Sequence, residues 1–222
     1  MHFQWKDFAK QWWNLDGPYH ILHQLLPLRM KFIASTVNSL KDLAVLDVGC
    51  GGGLLCEELF QRGANIYGVD SCPYTLQTAK EHAQEKGFCI QYRSPNQLEE
   101  LPLFDLVCMM EVLEHISNPY DFLKKYVAFL KPGGFLLGST INRSFLSWSL
   151  GIHGAEKLKW VPENAHHWAE LLKPEELAVL FHTLGLKEVI FQGYGSWGKS
   201  WDFQPHLKIN YFFKAQKPQV SA

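Results

Sequence analysis

Four glycines within five positions follow an apolar run and an acid in Val45-Leu46-Asp47-Val48-Gly49-Cys50-Gly51-Gly52-Gly53. A buried strand that ends this way passes into a turn whose backbone can touch a ligand, because glycine tolerates left-handed conformations and puts no side chain in between. The dinucleotide pattern G-x-G-x-x-G needs a further glycine at 54 or 56, where Leu54 and Cys56 stand, and no Gly-Lys-Ser/Thr of a phosphate loop follows in this turn. What remains is Asp47-x-Gly49-x-Gly51-x-Gly53, which suits a sulfonium nucleoside without a pyrophosphate, S-adenosylmethionine. Asp47 precedes the turn, where it could orient the methionine end through water or backbone. Asp70 closes the next strand 21 positions after Gly49, where a carboxylate can accept both ribose hydroxyls.

A second group lies in Met109-Met110-Glu111-Val112-Leu113-Glu114-His115. In a helical turn Glu111, Glu114 and His115, at i, i+3 and i+4, project from one side. Such a set could ligate a hard divalent ion, which in turn could bind both oxygens of a catechol and acidify the attacking hydroxyl. Equally, the two glutamates could cap the following turn while His115 braces the loop before Asn118-Pro119. His166, ahead of His167 and Trp168, could take a proton from a phenol near neutral pH, and it also fits an ordinary loop histidine. The five cysteines form no C-x-x-C pair, which argues against a disulfide framework or zinc ribbon and for a reducing, cytoplasmic setting.

Placing these residues takes alternating strands and helices. Strands are predicted at 43–48, 64–70, 89–93, 104–110 and 135–141. Helices are predicted at 54–62, 73–86 and 119–130, the last stopped by Lys131-Pro132-Gly133-Gly134. Short loops between βα units imply an α/β fold with a parallel sheet whose ligand sits at the carboxyl ends of the strands. Residues 1–42 read as a helical cap, with a helix over 28–39 after Pro27. Residues 172–185 read as a helix, and 187–192 with 209–215 as an antiparallel closing pair. The whole, 1–222, is expected to be one domain.

With 21 basic and 22 acidic side chains there is no field to attract nucleic acid. The start Met1-His2-Phe3-Gln4-Trp5-Lys6-Asp7 lacks the features of a signal peptide, and no apolar run is long enough to span a bilayer. Residues 144–170 interrupt the βα rhythm as an aromatic insertion over the active face, carrying Trp148, Trp160 and Trp168. Within them 144–161 mixes apolar anchors with Lys157 and Lys159, which suits either a helix at the headgroup level of a membrane or a lid on the domain itself.

The chain resembles the ubiquinone-biosynthesis O-methyltransferases. The likeness runs through Trp12-Trp13-Asn14-Leu15-Asp16-Gly17, Leu22-His23, Pro27-Leu28-Arg29, the Asp47 to Gly53 motif, Met110 to His115, Lys131 to Gly134, Ser139-Thr140-Ile141-Asn142-Arg143 and Gly154-Ala155-Glu156. The resemblance implies a class I methyltransferase, Rossmann-like, with a seven-stranded, mostly parallel sheet. It implies O-methylation of a catechol or phenol-type polyprenyl intermediate. Cofactor positions carry over to Arg29, whose guanidinium would bind the methionine carboxylate, and to Gly49, Asp70 and Met110. Magnesium (Mg2+) ligands carry over to Glu111, Glu114 and His115, and a membrane-associating segment to 144–161, which implies an interfacial surface for a substrate that lives in lipid; a biosynthetic complex is a further expected partner. The other readings are a methyltransferase for another small-molecule acceptor and an inactive cofactor-binding scaffold.

Overall fold

The computed structural model describes residues 8–99, 101–144, 171–197 and 200–219. Among these described residues eight strands form one sheet, in the order β3-β2-β1-β4-β5-β8-β6-β7. The chain divides into two compact units, Met1–Cys108 and Met109–Ala222, with the boundary inside β4.

The first unit opens with α1 (His20–Ala34) and continues through β1 (Ala44–Val48), α2 (Leu54–Gln61), β2 (Asn65–Val69), α3 (Pro73–Glu85), β3 (Gln91–Arg93) and β4 (Phe104–Met110). β1 pairs in parallel with β2 and β4, aligning Asp47 with Gly68 and with Cys108, and β2 pairs in parallel with β3. β4 is buried at every position but Asp105, as expected of a central parallel strand covered on both faces. The Asp105 carboxylate accepts the N–H of Ala44 at 2.8 Å, tying the entry of β1 to β4.

Two elements depart from expectation here: β3 starts at Gln91 instead of 89, and α1 ends at Ala34 instead of 39. α1 runs through Pro27 instead of starting after it. An internal proline forgoes one helical hydrogen bond and crowds the preceding turn. Burying Leu25, Leu28, Met30, Phe32 and Ile33 along one face offsets that cost.

The second unit holds a 3-10 turn (Leu113–His115), α4 (Pro119–Val127), β5 (Leu130–Ile141), α5 (Pro174–Thr183), β6 (Lys187–Trp197), β7 (Ser200–Gln204) and β8 (Asn210–Gln216). β8 lies antiparallel to both β5 and β6. The sequence places a helix stop at Lys131 to Gly134, whereas the structure puts these residues in β5. Gly133 N–H donates to Lys217 O and Lys217 N–H to Gly134 O, both at 2.9 Å, so the chain leaving β8 extends the ladder over them. The closing pair is also longer than expected. β6 continues to Trp197 and pairs with β7, adding an eighth strand at the edge. No helix among the described residues is long and apolar enough to cross a membrane.

Candidate functional site

The glycine turn leaves β1 at Val48. Gly49, Gly51 and Gly53 have φ of 72°, 53° and 89°, in the left-handed region that a Cβ disfavours. Gly49 and Cys50 both donate their N–H groups to Val69 O, at 2.7 and 3.1 Å. Gly51 N–H donates to Asp70 Oδ2 at 2.8 Å, while Asp70 Oδ1 accepts from Cys72 N–H at 2.8 Å and the Thr75 hydroxyl at 3.3 Å. Asp70 therefore fixes the turn to the start of α3, and its lone pairs are not all used.

Trp12 lies against this turn. A Cβ on Gly51 or Gly52 would come within 2.3 or 2.2 Å of its ring atoms, so only glycine permits the contact. Trp13 Nε1 donates to Gly52 O at 3.2 Å, and its ring stacks on His82 at 3.6 Å between centroids. His82 Nδ1 in turn lies 2.7 Å from Glu57 Oε1, and His23 Nε2 donates to Trp12 O at 2.8 Å. The tryptophan pair thus meets the glycine backbone at two points, Trp12 on Gly51 and Gly52 and Trp13 on Gly52 O, and is braced from behind by His82 and His23.

Three buried polar atoms around the turn have no hydrogen-bond partner among the described residues: Trp12 Nε1, Arg29 Nη2 and Tyr92 Oη. Arg29, on α1, is only 5% exposed. A Cβ on Gly53 would come within 2.4 Å of Tyr92 Oη. Unpaired buried donors are costly, so a group of them beside open backbone is a site suited to a polar, anionic ligand. The methionine carboxylate and nucleoside of S-adenosylmethionine fit this donor set.

Asp47 is buried beneath the turn and accepts the Cys56 thiol at 3.3 Å. Burial pushes its pKa up to about 7, against the opposing pull of Cys56 and the Arg29 guanidinium. The folded state therefore holds the proton more tightly than the unfolded chain. The associated stability is fully present below the ordinary carboxylate range and is lost as pH rises through about 7. Between pH 5 and 8, the melting temperature of the wild type should fall relative to that of Asp47→Asn by roughly 5–10 °C. Thermal melts across that range check it, and parallel curves would contradict it.

In the second unit Met110 ends β4, buried, and Glu111 follows at a φ of 57°. That left-handed turn breaks the expected i, i+3, i+4 array, since only Leu113–His115 is helical and Glu111 lies outside it. Glu111 N–H donates to Ser139 O at 3.0 Å. Its Oε1 accepts both the Ser139 hydroxyl at 2.5 Å and the Tyr194 hydroxyl at 2.6 Å. Oε2 accepts from none of the described residues. Glu114 is buried, and its Oε2 accepts the Thr140 hydroxyl at 2.8 Å. His115 lies at the surface, with its pKa lowered by partial burial of the ring and raised less by Glu111.

Neither glutamate caps the 3-10 turn. No group of three or more His, Cys, Asp or Glu among the described residues is placed to hold a metal, so Glu111, Glu114 and His115 do not fit a magnesium site as they stand. His166 lies outside the described residues, as does 144–161 apart from Ser144. Sequence reasoning missed the contacts of Trp12, Tyr92, Ser139 and Tyr194. Two of these had a signal as parts of quoted motifs, the Trp-Trp pair and Ser139 in Ser139-Thr140-Ile141-Asn142-Arg143, but neither motif says what the side chain touches.

The sequence profile of a family described as "Methyltransferase domain" matches residues 18–190. A ubiquinone biosynthesis O-methyltransferase of Nitrobacter winogradskyi is 36% identical over 94% of this chain and 86% of its own length. Proteins of the same name from Rickettsia canadensis and Vibrio vulnificus are 34% and 35% identical, each over 96% of this chain and 94% of the relative. Among solved structures, the magnesium protoporphyrin IX methyltransferase of Synechocystis PCC 6803 with bound SAH superposes with a TM-score of 0.65. It is 18% identical and covers 88% of this chain and 83% of that one. A SAM-dependent methyltransferase of Thermotoga maritima gives 0.65 at 18% identity, covering 95% and 99%. These two likenesses concern the fold, that of a class I methyltransferase.

Proposed function

The chain belongs to the ubiquinone biosynthesis O-methyltransferases, and from that premise we propose that it methylates a phenolic oxygen of a polyprenylated, catechol-type ubiquinone precursor, with S-adenosylmethionine as methyl donor. The observation that carries the reading is the buried Arg29 guanidinium, left with an unpartnered Nη2 beside the glycine turn.

When bound, S-adenosylmethionine supplies an electrophilic methyl group on a sulfonium. Arg29 pairs with its carboxylate, and the Trp12 N–H donates at the same end. Gly49, Gly51 and Gly53 let the backbone lie against it, and Asp70 accepts the ribose hydroxyls. Asp47 acts from below, orienting this end through the turn. Glu111 Oε2 takes the phenolic proton, the O–H electron pair stays on oxygen, and that oxygen bonds the methyl carbon as the carbon–sulfur bond breaks. The protein holds the three atoms in line, which supplies much of the acceleration, and Glu111 then returns its proton to water.

No step passes through a metal. The proton is assigned to Glu111 in preference to His166 because Glu111 has an oxygen open to a donor. A polyprenyl tail keeps the acceptor in lipid, so the proposal includes a peripheral contact through 144–161 with the cytoplasmic face of a membrane, and a biosynthetic complex that delivers the precursor. The test is transfer of a labelled methyl to a demethylated, prenylated precursor, run with and without vesicles beside a tail-less catechol. Equal turnover of the tail-less catechol with or without vesicles would move the acceptor to another class of small molecule.

A further inference from the structure

We propose that Tyr194 and Ser139 are positioning residues for the reaction, locking the Glu111 carboxylate so that Oε2 alone is offered to the acceptor hydroxyl; this rests on the reading of Glu111 as the proton acceptor. Both hydroxyls donate to the same oxygen, Oε1, at 2.6 and 2.5 Å. Distributed over the two oxygens, the same bonds would satisfy the two hydroxyls equally well and would cover the carboxylate. Concentrated on Oε1, they leave Oε2 open.

The two donors are themselves fixed. Ser139 is fully buried in β5 and also binds Glu111 through its carbonyl, at 3.0 Å from the Glu111 nitrogen. Tyr194 is 3% exposed in β6, its ring 4.3 Å from that of Phe212 and its backbone in register with Asn210 of β8. Glu111 needs such support. A non-glycine residue at a φ of 57° persists only where its surroundings over-determine it. A glutamate also has three side-chain torsions, which a lone carboxylate at a strand end would sample freely. Ser139 holds its backbone and one oxygen, and Tyr194 holds the same oxygen from another strand. In the transfer both hydroxyls keep their protons; only the acceptor's proton moves, to Oε2.

The experiment is a double-mutant cycle on the full chain. It reads kcat with a short-tailed prenyl catechol and the dissociation constant for S-adenosylhomocysteine. Tyr194→Phe and Ser139→Ala should each lower kcat about 10–100-fold with cofactor affinity held within about twofold, and Ser139→Thr should recover most of the loss. Combined with Glu111→Gln, Tyr194→Phe should cost nothing further, because it acts through the carboxylate already removed. An equal cost in both backgrounds, with Glu111→Gln itself slow, overturns the positioning role and leaves the Glu111 reading intact. A Glu111→Gln enzyme as fast as the wild type overturns both. Should Tyr194→Phe fail to fold, Ser139→Ala completes the same cycle.

Discussion

Replacing Glu111 with glutamine lowers kcat by about 10²–10⁴-fold and leaves S-adenosylhomocysteine binding within about twofold of the wild type. The substitution is nearly isosteric, and the amide oxygen can still accept from Ser139 and Tyr194, which meet at Oε1 in the wild type. What disappears is a second oxygen able to take a proton, since the amide offers N–H groups in its place. The backbone turn at Glu111 is held by Ser139 O, a bond that the side chain does not make. The loss therefore falls on the chemical step. Steady-state rates at saturating cofactor, with calorimetric binding of S-adenosylhomocysteine, separate the two quantities. A fall in affinity with kcat preserved would place Glu111 on the cofactor instead.

Replacing Arg29 with methionine produces the opposite division. S-adenosylhomocysteine affinity falls roughly 30- to 1,000-fold, as expected when one partner of a desolvated, hydrogen-bonded charge pair is truncated. The unliganded protein keeps its melting temperature or gains slightly. This sign follows from the burial of Arg29 with Nη2 unpartnered among the described residues, so the cation costs desolvation that the attraction of the Asp47 carboxyl returns only in part. Methionine keeps an apolar stem at a position that is buried on α1, as Leu25, Leu28 and Phe32 are. Differential scanning fluorimetry with and without ligand reads both effects. A structural arginine would show the reverse, with a lower melting temperature and unchanged affinity.

How far the sequence could be read depended on how local each determinant was. β4 matches its predicted limits because a run buried on both faces stands out in any window. α2 and α3 were found to within a residue because Gly63 and Gly87 close them at φ of 91° and 72°. The internal Pro27 and the strand through Lys131 to Gly134 were missed because tertiary contacts override local signals there: an apolar helix face in one case, the chain after β8 in the other.

The site divides along the same line. The glycine turn is local, and its spacing alone separated one cofactor class from two others. The surroundings of Glu111 are not local. Ser139 and Tyr194 lie 28 and 83 positions away, and nothing in the sequence ties either to Glu111, while the positive φ at Glu111 defeats the helical spacing that suggested a metal triad. The strap over the glycine turn likewise joins residues 39 apart, Trp13 and Gly52.

The account stands most directly on where the methyl group goes. The full chain, given S-adenosylmethionine labelled in its methyl group and a demethylated, prenylated catechol precursor in vesicles, should yield a labelled methyl ether on the phenolic oxygen. Mass spectrometry with fragmentation of the product locates the label. The label should appear in step with S-adenosylhomocysteine and should be nearly lost with Glu111→Gln. Unlabelled precursor after full incubation, or label on a ring carbon, would contradict it.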